Sequence, residues 1–387
     1  MAEATIPVPP PADAGLAPAA PAGGTQVMVG GAVPTTLDTL VHCVVVAAGP
    51  DPGRRFRIGE AGLVVGRQPP ADMVIDDPAV SRRHCRFSML LDAVVVDDLG
   101  STNGTFLDGV RVGSRMMLAE GAQLQLGPVR LRYERLSLAE ADRLEESARD
   151  LARAQAYVTA LLPAPVHEGP VLVDWVYHPC SLVGGDAFGY RQLTPTTYAI
   201  HVLDVAGHGT GAAMHSVSVL NTLRRGSLAG VDMGEPGAVV SALNTLFPME
   251  AHGELFFTLW YGVYDQESRV LAFATAGHHA GFLRSPDGDR IAPLWTRNMP
   301  IGVANRPVQA ARVRIRPGCR LYLFSDGAFE FTPREGGRHA IEHYLPLLTA
   351  PEEPGVPEPE RLWRATRARA QPGPLEDDVS IVVVTLP

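Results

Sequence analysis

The hydrophobic pattern of this chain changes twice, and each change marks a different kind of structure. Between residues 41 and 134, short β-branched runs such as VHCVVVA, GLVVG, DAVVVDD and QLQLG alternate with turn pairs such as Asp108-Gly109. Runs at spacings of about 8 to 12 residues are typical of a small β-sandwich. Residues 1–40 are mostly Ala, Pro and Gly. Since such a composition buries too little surface to offset its ordering entropy, we expect a disordered tail there.

The pattern becomes helical after residue 135. Ser137 with Glu140 forms a capping box, and Pro163 ends the helix, so we assign residues 136–163 to a linker helix. The side chains that recur at steps of three and four are Ala141, Leu144, Ala148, Leu151, Gln155, Val158 and Leu162. This stripe fits a helix docked on a domain, and it equally fits a short coiled-coil seam that would make the chain a homodimer through residues 137–162.

From residue 164 onward strands and helices follow one another. The run YAIHVLDV predicts a strand that leads into a helix, and Pro236 opens a second helix. FFTLWYGVYD and VLAFATAG predict a hairpin, in which Phe256, Phe257, Trp260 and Tyr261 belong to the core, and RLYLFSDG and VSIVVVTL predict late strands. Strand runs with helices grouped apart favour an α+β sandwich over a parallel, doubly wound sheet.

The composition excludes several activities. All 33 basic residues are arginine, so the chain lacks the lysine of a phosphate-binding P-loop, of a protein kinase and of a pyridoxal phosphate enzyme. The net charge of −9 argues against nucleic acid as a partner, because binding the phosphate backbone calls for a basic surface.

The four cysteines indicate a reducing compartment. Cys43, Cys85, Cys180 and Cys319 lie far apart and form neither a CxxC pair nor a zinc-type Cys/His spacing, which is typical of reduced structural thiols. The N-terminal prolines are incompatible with a secretory signal, and no apolar run approaches the roughly 18 residues of a membrane span. We therefore expect a cytoplasmic protein without a membrane segment.

A dense set of motifs stands in the β-rich region. VVGRQPPADMVIDDPAVSRRHCRF contains Gly-Arg and Ser-Arg-x-His, and DDLGSTNGTFLDG contains Asn-Gly-Thr. Together they resemble the forkhead-associated (FHA) domain over about residues 42 to 134, and we place this domain at residues 41–135. The resemblance implies an all-β sandwich whose loops bind phosphothreonine.

The same resemblance implies roles for individual residues. Arg67 and Arg82 would pair with phosphate oxygens, since planar guanidinium groups suit phosphate geometry. Ser81 would hydrogen-bond a phosphate oxygen, and Thr102 and Asn103 would hold the main chain of the ligand. Gly66 and His84 would belong to the scaffold. The alternative is an FHA fold that packs against its own chain.

Four aspartates in the remainder of the chain each stand where an apolar run meets a turn. Asp186, Asp204, Asp326 and Asp377 occur in VGGD, LDVAGHG, FSDG and EDDVS. Carboxylates at the ends of neighbouring strands can converge on one point, and hard divalent cations such as Mg²⁺ and Mn²⁺ prefer oxygen ligands. The sequence therefore indicates a two-metal site suited to hydrolysis of a phosphate ester.

A series of motifs surrounds these aspartates. In chain order they are LARAQAYVTALLP, VGGDAFGY, LDVAGHGTGAAM, ATAGHHAGFL, PIGV, LYLFSDGAFE and DDVSIVVV. This order resembles the PPM metal-dependent protein phosphatases, in particular their SpoIIE-like bacterial branch. We place this domain at residues 164–387, with a central β-sandwich flanked by helices. The resemblance implies two cations, Mn²⁺ or Mg²⁺, which activate a water for attack on phosphoserine or phosphothreonine without a covalent phosphoenzyme.

The resemblance also implies which groups hold the cations. Asp204 would bridge both of them, and Asp186 with the Val205 carbonyl would complete one site. Asp326 with Asp377 would complete the other, and Asp378 is the alternative to Asp377, because a one-residue slip in a strand reverses the face to which a side chain points.

Three histidines near these motifs leave two interpretations open. His208, His278 and His279 could donate a proton to the leaving serine alkoxide. The competing interpretation, which we favour, is that they hydrogen-bond to the backbone at structural turns.

Joined in one chain, the two domains suggest a regulated phosphatase of bacterial partner-switching circuits. The resemblance implies a phosphoserine protein substrate, typically a STAS-type anti-sigma-factor antagonist. The FHA domain would bind a phosphothreonine protein or the chain's own tail, in which Thr35 and Thr36 stand, and the helix would transmit that event. Two alternatives are an inactive phosphatase-fold scaffold that binds phosphoproteins, and a two-metal nuclease, which the acidic balance disfavours.

Overall fold

The computed structural model of the protein describes residues 39–387 other than 182, 208, 338, 372 and 374. His208 and the threonines Thr35 and Thr36 therefore lie outside the described residues, as does the predicted tail but for Thr39 and Leu40.

The first domain consists of two sheets of short strands that enclose an apolar core. In its last strand Val129, Leu131 and Tyr133 are buried while Arg130 and Arg132 between them are exposed, so one face of the strand lies on the core. One sheet has the order β2-β1-β11-β10-β7-β8 and the other the order β4-β3-β5-β6-β9. The strands are β1 Leu40–Ala48, β2 Arg55–Arg57, β3 Leu63–Gly66, β4 Met73–Val74, β5 Cys85–Leu90, β6 Ala93–Asp98, β7 Thr105–Leu107, β8 Val110–Arg111, β9 Met116–Met117, β10 Gln123–Leu126 and β11 Val129–Ser137.

A single helix, α1 (Leu138–Leu161), links the two domains. Its first turn is capped by the Ser137 hydroxyl, which accepts a hydrogen bond from the Glu140 amide at 3.2 Å. Near its end Val158 packs in an apolar cluster with Ala213. Ala148, midway along the predicted apolar stripe, is exposed. The helix is thus held at its two ends.

The second domain contains two five-stranded sheets with helices against both. The sheets have the orders β13-β14-β15-β16-β19 and β12-β21-β20-β17-β18, and neighbouring strands in both are antiparallel. The elements are β12 Leu172–His178, β13 Ala187–Gln192, β14 Thr197–Val205, α2 Thr210–Arg225, α3 Pro236–Leu246, β15 Phe257–Asp265, β16 Val270–Ala276, β17 Gly281–Arg284, β18 Ile291–Leu294, β19 Ala311–Arg314, β20 Arg320–Phe324, α4 Ile341–Thr349, α5 Glu358–Arg369 and β21 Val379–Thr385, with short 3₁₀ turns at Met249–Ala251 and Asp326–Ala328.

The last strand explains why this domain forms four layers. Val382 and Val384 of β21 pack in the core between the two sheets, whereas Val379, Ile381 and Val383 pack in a second core beneath α4 and α5. A strand covered on both faces reads as a continuous apolar run, as VSIVVVTL does. The other sheet is covered by α2 and α3.

The predicted fold class, an all-β sandwich followed by a helix and an α+β domain, is confirmed. Trp260 and Tyr261 lie in the core as predicted, with at most 1% of their surface exposed. In the described part of the chain, no helix is both long enough and apolar enough to cross a membrane.

Candidate functional sites

An arginine-rich cavity opens at one end of the first domain. Its volume is about 650 Å³, and its lining includes the five predicted phosphopeptide residues, Arg67, Ser81, Arg82, Thr102 and Asn103. Arg83, for which no binding role was predicted, lines it as well. The lining described by the structure thus holds three arginines and no carboxylate, which suits an anionic ligand.

The loops that form this cavity are hydrogen-bonded to one another. The Ser81 hydroxyl accepts a hydrogen bond from the Thr102 amide at 3.0 Å. The Asn103 side-chain amide donates to the Ala79 carbonyl at 2.8 Å. In this structure Asn103 therefore links two loops that line the cavity.

Two residues assigned to the scaffold hold the loop from behind. His84 is fully buried; its Nδ1 accepts from the Ser81 amide at 3.1 Å, and its Nε2 lies 3.2 Å from the Gly104 carbonyl oxygen. A side chain at Gly66 would place its Cβ 2.1 Å from the Arg82 carbonyl oxygen. Only glycine allows the backbone this close approach.

One further residue of this region escaped the sequence analysis. The Asp98 carboxylate accepts hydrogen bonds from the amides of Gly100 and Ser101 and from the hydroxyls of Ser101 and Thr105. Burial alone raises the pKa of Asp98, but these bonds outweigh it and lower the pKa to about 2. Asp98 therefore fixes a loop whose residues Gly100, Thr102 and Asn103 line the cavity. Its place two residues before a turn glycine was the available signal.

The first two predicted metal-site aspartates lie side by side in one sheet of the second domain. Ala187 pairs with Leu203 across β13 and β14, which sets Asp186 beside Asp204 at the end of that ladder. Asp186 is 1% exposed, and its Oδ2 accepts a hydrogen bond from the Ser380 hydroxyl of the opposite sheet at 2.8 Å.

The other two aspartates belong to that opposite sheet. Phe324 of β20 pairs with Ile381 of β21, so Asp326, two residues after β20, and Asp377, two residues before β21, lie at the same end of this strand pair. The sandwich thereby brings two carboxylates from each sheet to the same end of the domain.

Burial and neighbouring charges raise the pKa of three of the four predicted aspartates. Burial raises the pKa of Asp186 well above its usual range, and the charges of Asp204 and Asp378 raise it further. Burial, followed by the charges of Asp326 and Asp377, raises the pKa of Asp204 to about 8. Burial and the charge of Asp377 raise the pKa of Asp326 to about 6. Like charges in a buried cluster disfavour each other's ionised form.

Asp378, the alternative metal ligand, accepts hydrogen bonds through both carboxylate oxygens. Its Oδ1 accepts from the Cys180 amide at 2.8 Å, and its Oδ2 accepts from the Gly185 amide at 2.6 Å and lies 3.4 Å from the Asp186 amide. It is 4% exposed. Asp378 thus clamps the loop that carries Asp186 onto the start of β21.

Glycines let the same loop come close to its neighbours. A Cβ at Gly184 would lie 2.5 Å from Oδ2 of Asp378, and one at Gly185 would lie 3.1 Å from the Val205 carbonyl oxygen. A Cβ at Gly327 would lie 2.2 Å from the Asp378 carbonyl oxygen. A side chain at Gly184 or Gly327 would force its neighbours to shift, and one at Gly185 would crowd the Val205 carbonyl.

Cys180 lies nearer to this cluster than its sequence context indicated. Ligand atoms of Cys180, Asp377 and Asp378 all lie within 4.8 Å of one another. Burial and the charge of Asp378 raise the pKa of the thiol to about 12. The interpretation of Cys180 as a structural thiol did not indicate this contact, because Cys180 and Asp378 are 198 positions apart in the chain and meet only through the pairing of β12 with β21.

His278 and His279 are turned toward the backbone. Nδ1 of His278 lies 3.0 Å from the His279 carbonyl oxygen, and Nδ1 of His279 lies 2.9 Å from the Ala280 carbonyl oxygen. Burial, assisted by His279, lowers the pKa of His278 to about 3, so this ring is neutral near neutral pH. Both contacts suit the structural interpretation of these histidines.

The composition of the cluster fits divalent cations. Its candidate donors are carboxylate oxygens and one main-chain carbonyl, which are the ligands that Mg²⁺ and Mn²⁺ prefer. The raised pKa values of Asp204 and Asp326 mark carboxylates that repel one another when no cation lies between them.

Comparison with known proteins identifies two families in the chain. The family model described as stage II sporulation protein E (SpoIIE) matches residues 194–387, and the FHA domain model matches residues 63–127. Stage II sporulation protein E of Priestia megaterium is 24% identical over 208 residues, which are 53% of this chain and 34% of that protein.

Two further similarities cover the separate domains. The glycogen accumulation regulator GarA of Mycobacterium tuberculosis is 41% identical over 88 residues, 23% of this chain and 54% of GarA. The chain therefore spans about half the length of this relative. The solved SiaA-PP2C domain of Pseudomonas aeruginosa is 21% identical with a TM-score of 0.57, covering 64% of this chain and 100% of that structure. This likeness confirms a PP2C-type fold for the second domain.

Proposed function

This chain belongs to the stage II sporulation protein E (SpoIIE) family, and we propose that it is a metal-dependent protein serine/threonine phosphatase controlled or targeted by its FHA domain. The observation that carries the proposal is the position of four aspartates from two sheets at one end of the domain, where burial and neighbouring charges raise the pKa of Asp204 to about 8 and that of Asp326 to about 6. A fold that only binds partners gains nothing from such repulsion.

In this proposal each carboxylate has its own part. Asp204 would contribute to holding both of two divalent cations, Mn²⁺ or Mg²⁺, and Asp186 with the Val205 carbonyl would hold one of them. Asp326 and Asp377 would hold the other. We choose Asp377 over Asp378 because both oxygens of Asp378 already accept backbone hydrogen bonds.

When bound, the two cations would lower the pKa of a water and neutralise charge on the phosphoryl oxygens. The chain's own residues supply the frame. Ser380 orients the Asp186 carboxylate through a 2.8 Å hydrogen bond, and Asp378 fixes the adjoining loop. His278 is buried and His279 half-buried, their rings contact backbone carbonyls of their own turn, and neither is assigned a proton-transfer role.

The test is release of phosphate from a phosphoserine protein in the presence of Mn²⁺ and after its removal by a chelator. Asp204→Asn should lower the rate about a thousandfold, since metal-assisted charge stabilisation supplies several kcal/mol. The matched control is Asp289→Asn, a substitution at an exposed position in the β17–β18 turn, which should leave the rate unchanged. An Asp204→Asn variant that kept its activity, or a wild type without metal-dependent activity, would leave the scaffold alternative standing.

The FHA domain binds phosphothreonine in this proposal, with Arg67 and Arg82 on the phosphate and Ser81, Thr102 and Asn103 placing the ligand. The shared cavity of these five residues supports it. The ligand is a separate phosphothreonine protein or the chain's own tail. If removal of residues 1–38 leaves the affinity of the phosphorylated chain for an external phosphopeptide unchanged, self-binding is ruled out.

We further propose that the substrate is a phosphoserine protein of a bacterial partner-switching circuit, such as a STAS-type anti-sigma antagonist, in the cytoplasm. The free thiols of the described chain suit a reducing compartment. Ligand capture by the FHA domain would act on the phosphatase through α1, which contacts both domains. Equal activity with and without a saturating phosphothreonine peptide would exclude such control.

A further inference from the structure

The segment from Leu294 to Ile301 presents an apolar and basic face. Its side chains alternate: Leu294 and Thr296 are buried, whereas Trp295 is 54% exposed and Met299 49% exposed. Arg297 between them is exposed as well. A folded protein usually buries tryptophan, so an exposed Trp and Met on one face indicate a contact surface.

This face is rigid because its inward residues are hydrogen-bonded to β16. The Thr296 amide donates to the Thr275 hydroxyl and the Thr275 amide donates to the Thr296 hydroxyl, both at 2.8 Å. The Asn298 side-chain amide donates to the Thr275 carbonyl at 2.8 Å, and the Asn298 carbonyl accepts from the Gly277 amide at 3.1 Å. Because this segment is already ordered, binding a partner there costs less conformational entropy than binding to a mobile segment.

The segment lies close to the proposed metal ligands. Ile301 forms a bridge with Phe257, and Phe257 pairs with Val205, the neighbour of Asp204. Two strand spacings therefore separate the Ile301 backbone from Val205, about 10 Å. Met299 stands only two residues before Ile301. A protein bound at the cluster would reach this face.

The positive charge of this region favours an acidic partner. Residues 290–325 contain seven arginines and no aspartate or glutamate, in a chain with net charge −9. Arg312, Arg316 and Arg320 each have a carboxylate partner. Arg297 forms no ion pair with any residue that the structure describes, so its charge is available to an acidic ligand.

We propose that Trp295, Arg297 and Met299 form a docking surface for the phosphoprotein substrate, and that this surface selects acidic and apolar side chains next to the phosphorylated serine. The proposal rests on the proposed phosphatase function and adds its substrate preference. Tryptophan and arginine are the residue types that most often dominate a protein interface.

The experiment compares three substrates with the full chain and Mn²⁺. One is a phosphoserine peptide flanked by Asp, Glu and Leu, the second replaces those flanks by Lys and Ala, and the third is p-nitrophenyl phosphate. We expect the wild type to prefer the acidic peptide over the lysine peptide about tenfold in kcat/KM. Trp295→Ala should reduce that preference through KM, and Arg297→Glu should reverse its charge dependence. Both variants should hydrolyse p-nitrophenyl phosphate as the wild type does.

Two matched controls lie at the opposite end of the same domain. Leu172→Ala removes an apolar side chain that is 37% exposed at the start of β12, and Arg269→Glu reverses a charge in the β15–β16 turn; neither should alter the preference. The docking surface is refuted if the wild type shows no preference, or if Trp295→Ala lowers the activity on all three substrates equally. Absence of metal-dependent hydrolysis of every substrate would instead overturn the phosphatase itself, and the docking surface with it.

Discussion

The two candidate phosphate sites of this chain use opposite charges. The cavity of the FHA domain collects Arg67, Arg82 and Arg83 at an open surface, where guanidinium groups can bind a phosphate directly. The cluster of the second domain collects carboxylates under burial, with the pKa of Asp204 raised to about 8, so cations must come between it and a phosphate. Binding a phosphorylated residue needs only affinity, whereas hydrolysing its phosphate ester requires activation of a water.

The loops of both sites are nevertheless held in the same way. Beside the arginine cavity, Asp98 accepts hydrogen bonds from the amides of Gly100 and Ser101. Beside the carboxylate cluster, Asp378 accepts hydrogen bonds from the amides of Cys180 and Gly185. In each case the loop that makes the proposed ligand contacts is fixed by a carboxylate that makes no such contact itself. Site chemistry and site support can therefore be tested separately.

The largest effect should separate Asp377 from Asp378. Asp377→Asn removes a proposed metal ligand, so phosphate release should fall about a thousandfold while the free energy of unfolding changes little. Asp378→Ala leaves buried amides without an acceptor and should lower the free energy of unfolding by about 3 kcal/mol. Urea unfolding and phosphate release measured on the same preparations check both. The opposite pattern, an unstable Asp377→Asn and a stable Asp378→Ala, would exchange the two roles.

In the arginine cavity the corresponding change should act on binding alone. Arg82→Ala should weaken the affinity for a phosphothreonine peptide about tenfold to a hundredfold, since a charge-assisted hydrogen bond contributes about 1.5 to 3 kcal/mol. Hydrolysis of p-nitrophenyl phosphate should not change. Isothermal titration provides the affinity, with Arg130→Ala, at an exposed position of β11 outside the cavity, as the control. If Arg130→Ala weakened binding equally, the contribution would be one of general charge rather than of the cavity.

The sequence predicted the parts of both sites that residue type and order encode. The five cavity residues and the four aspartates stand in short motifs, and the apolar periodicity placed the strands that carry them. The supports were harder to find. Asp98 looks like an ordinary turn former, and Asp378 looks like a second metal ligand. The hydrogen bonds of Asp98 are local. Those of Asp378 link residues far apart in the chain, as in the bond that its carboxylate accepts from the Cys180 amide, and no local pattern encodes such a pair.

The helix shows the same limit. Its capping residue was visible because Ser137 and Glu140 are neighbours in sequence. The stripe could not indicate where the helix docks, since the partners of Val158 include Ala213, far along the chain. Trp295 was likewise missed, because its exposure depends on the alternation imposed by the bonds between Thr275 and Thr296.

A pH-dependent effect should appear in the first domain through His84. Burial is the main cause that lowers the pKa of His84 from its ordinary value of 6.5, so the folded domain binds fewer protons than the unfolded chain. The stability that the neutral ring contributes is therefore full above about pH 6.5 and is lost as the pH falls below it, by up to about 1.4 kcal/mol per pH unit. Protonation also turns Nδ1 from the acceptor of the Ser81 amide into a donor.

Hydrogen exchange of residues 79–84 measures this loss. Between about pH 7.5 and about pH 5.5, exchange corrected for its intrinsic pH dependence should accelerate in the wild type. His84→Asn keeps an acceptor near Ser81 but cannot titrate, so the acceleration should vanish. A variant that still showed it would assign the pH dependence to another group.

The smallest effect should arise where the two regions are joined. Arg57 of β2 pairs with Asp142 of α1 at 2.6 Å and contacts Glu145; Arg57 is 30% and Asp142 62% exposed, so Arg57→Ala should lower stability by only about 0.5 to 1 kcal/mol. If phosphopeptide capture reaches the phosphatase through α1, this variant should keep its peptide affinity and basal phosphate release yet respond less to a saturating peptide. Arg54→Ala, which removes an equal charge paired with Asp51 inside the first domain, is the control. Equal responses of the two variants would mean that phosphopeptide binding in the FHA domain does not act on the phosphatase through the contact of Arg57 with α1.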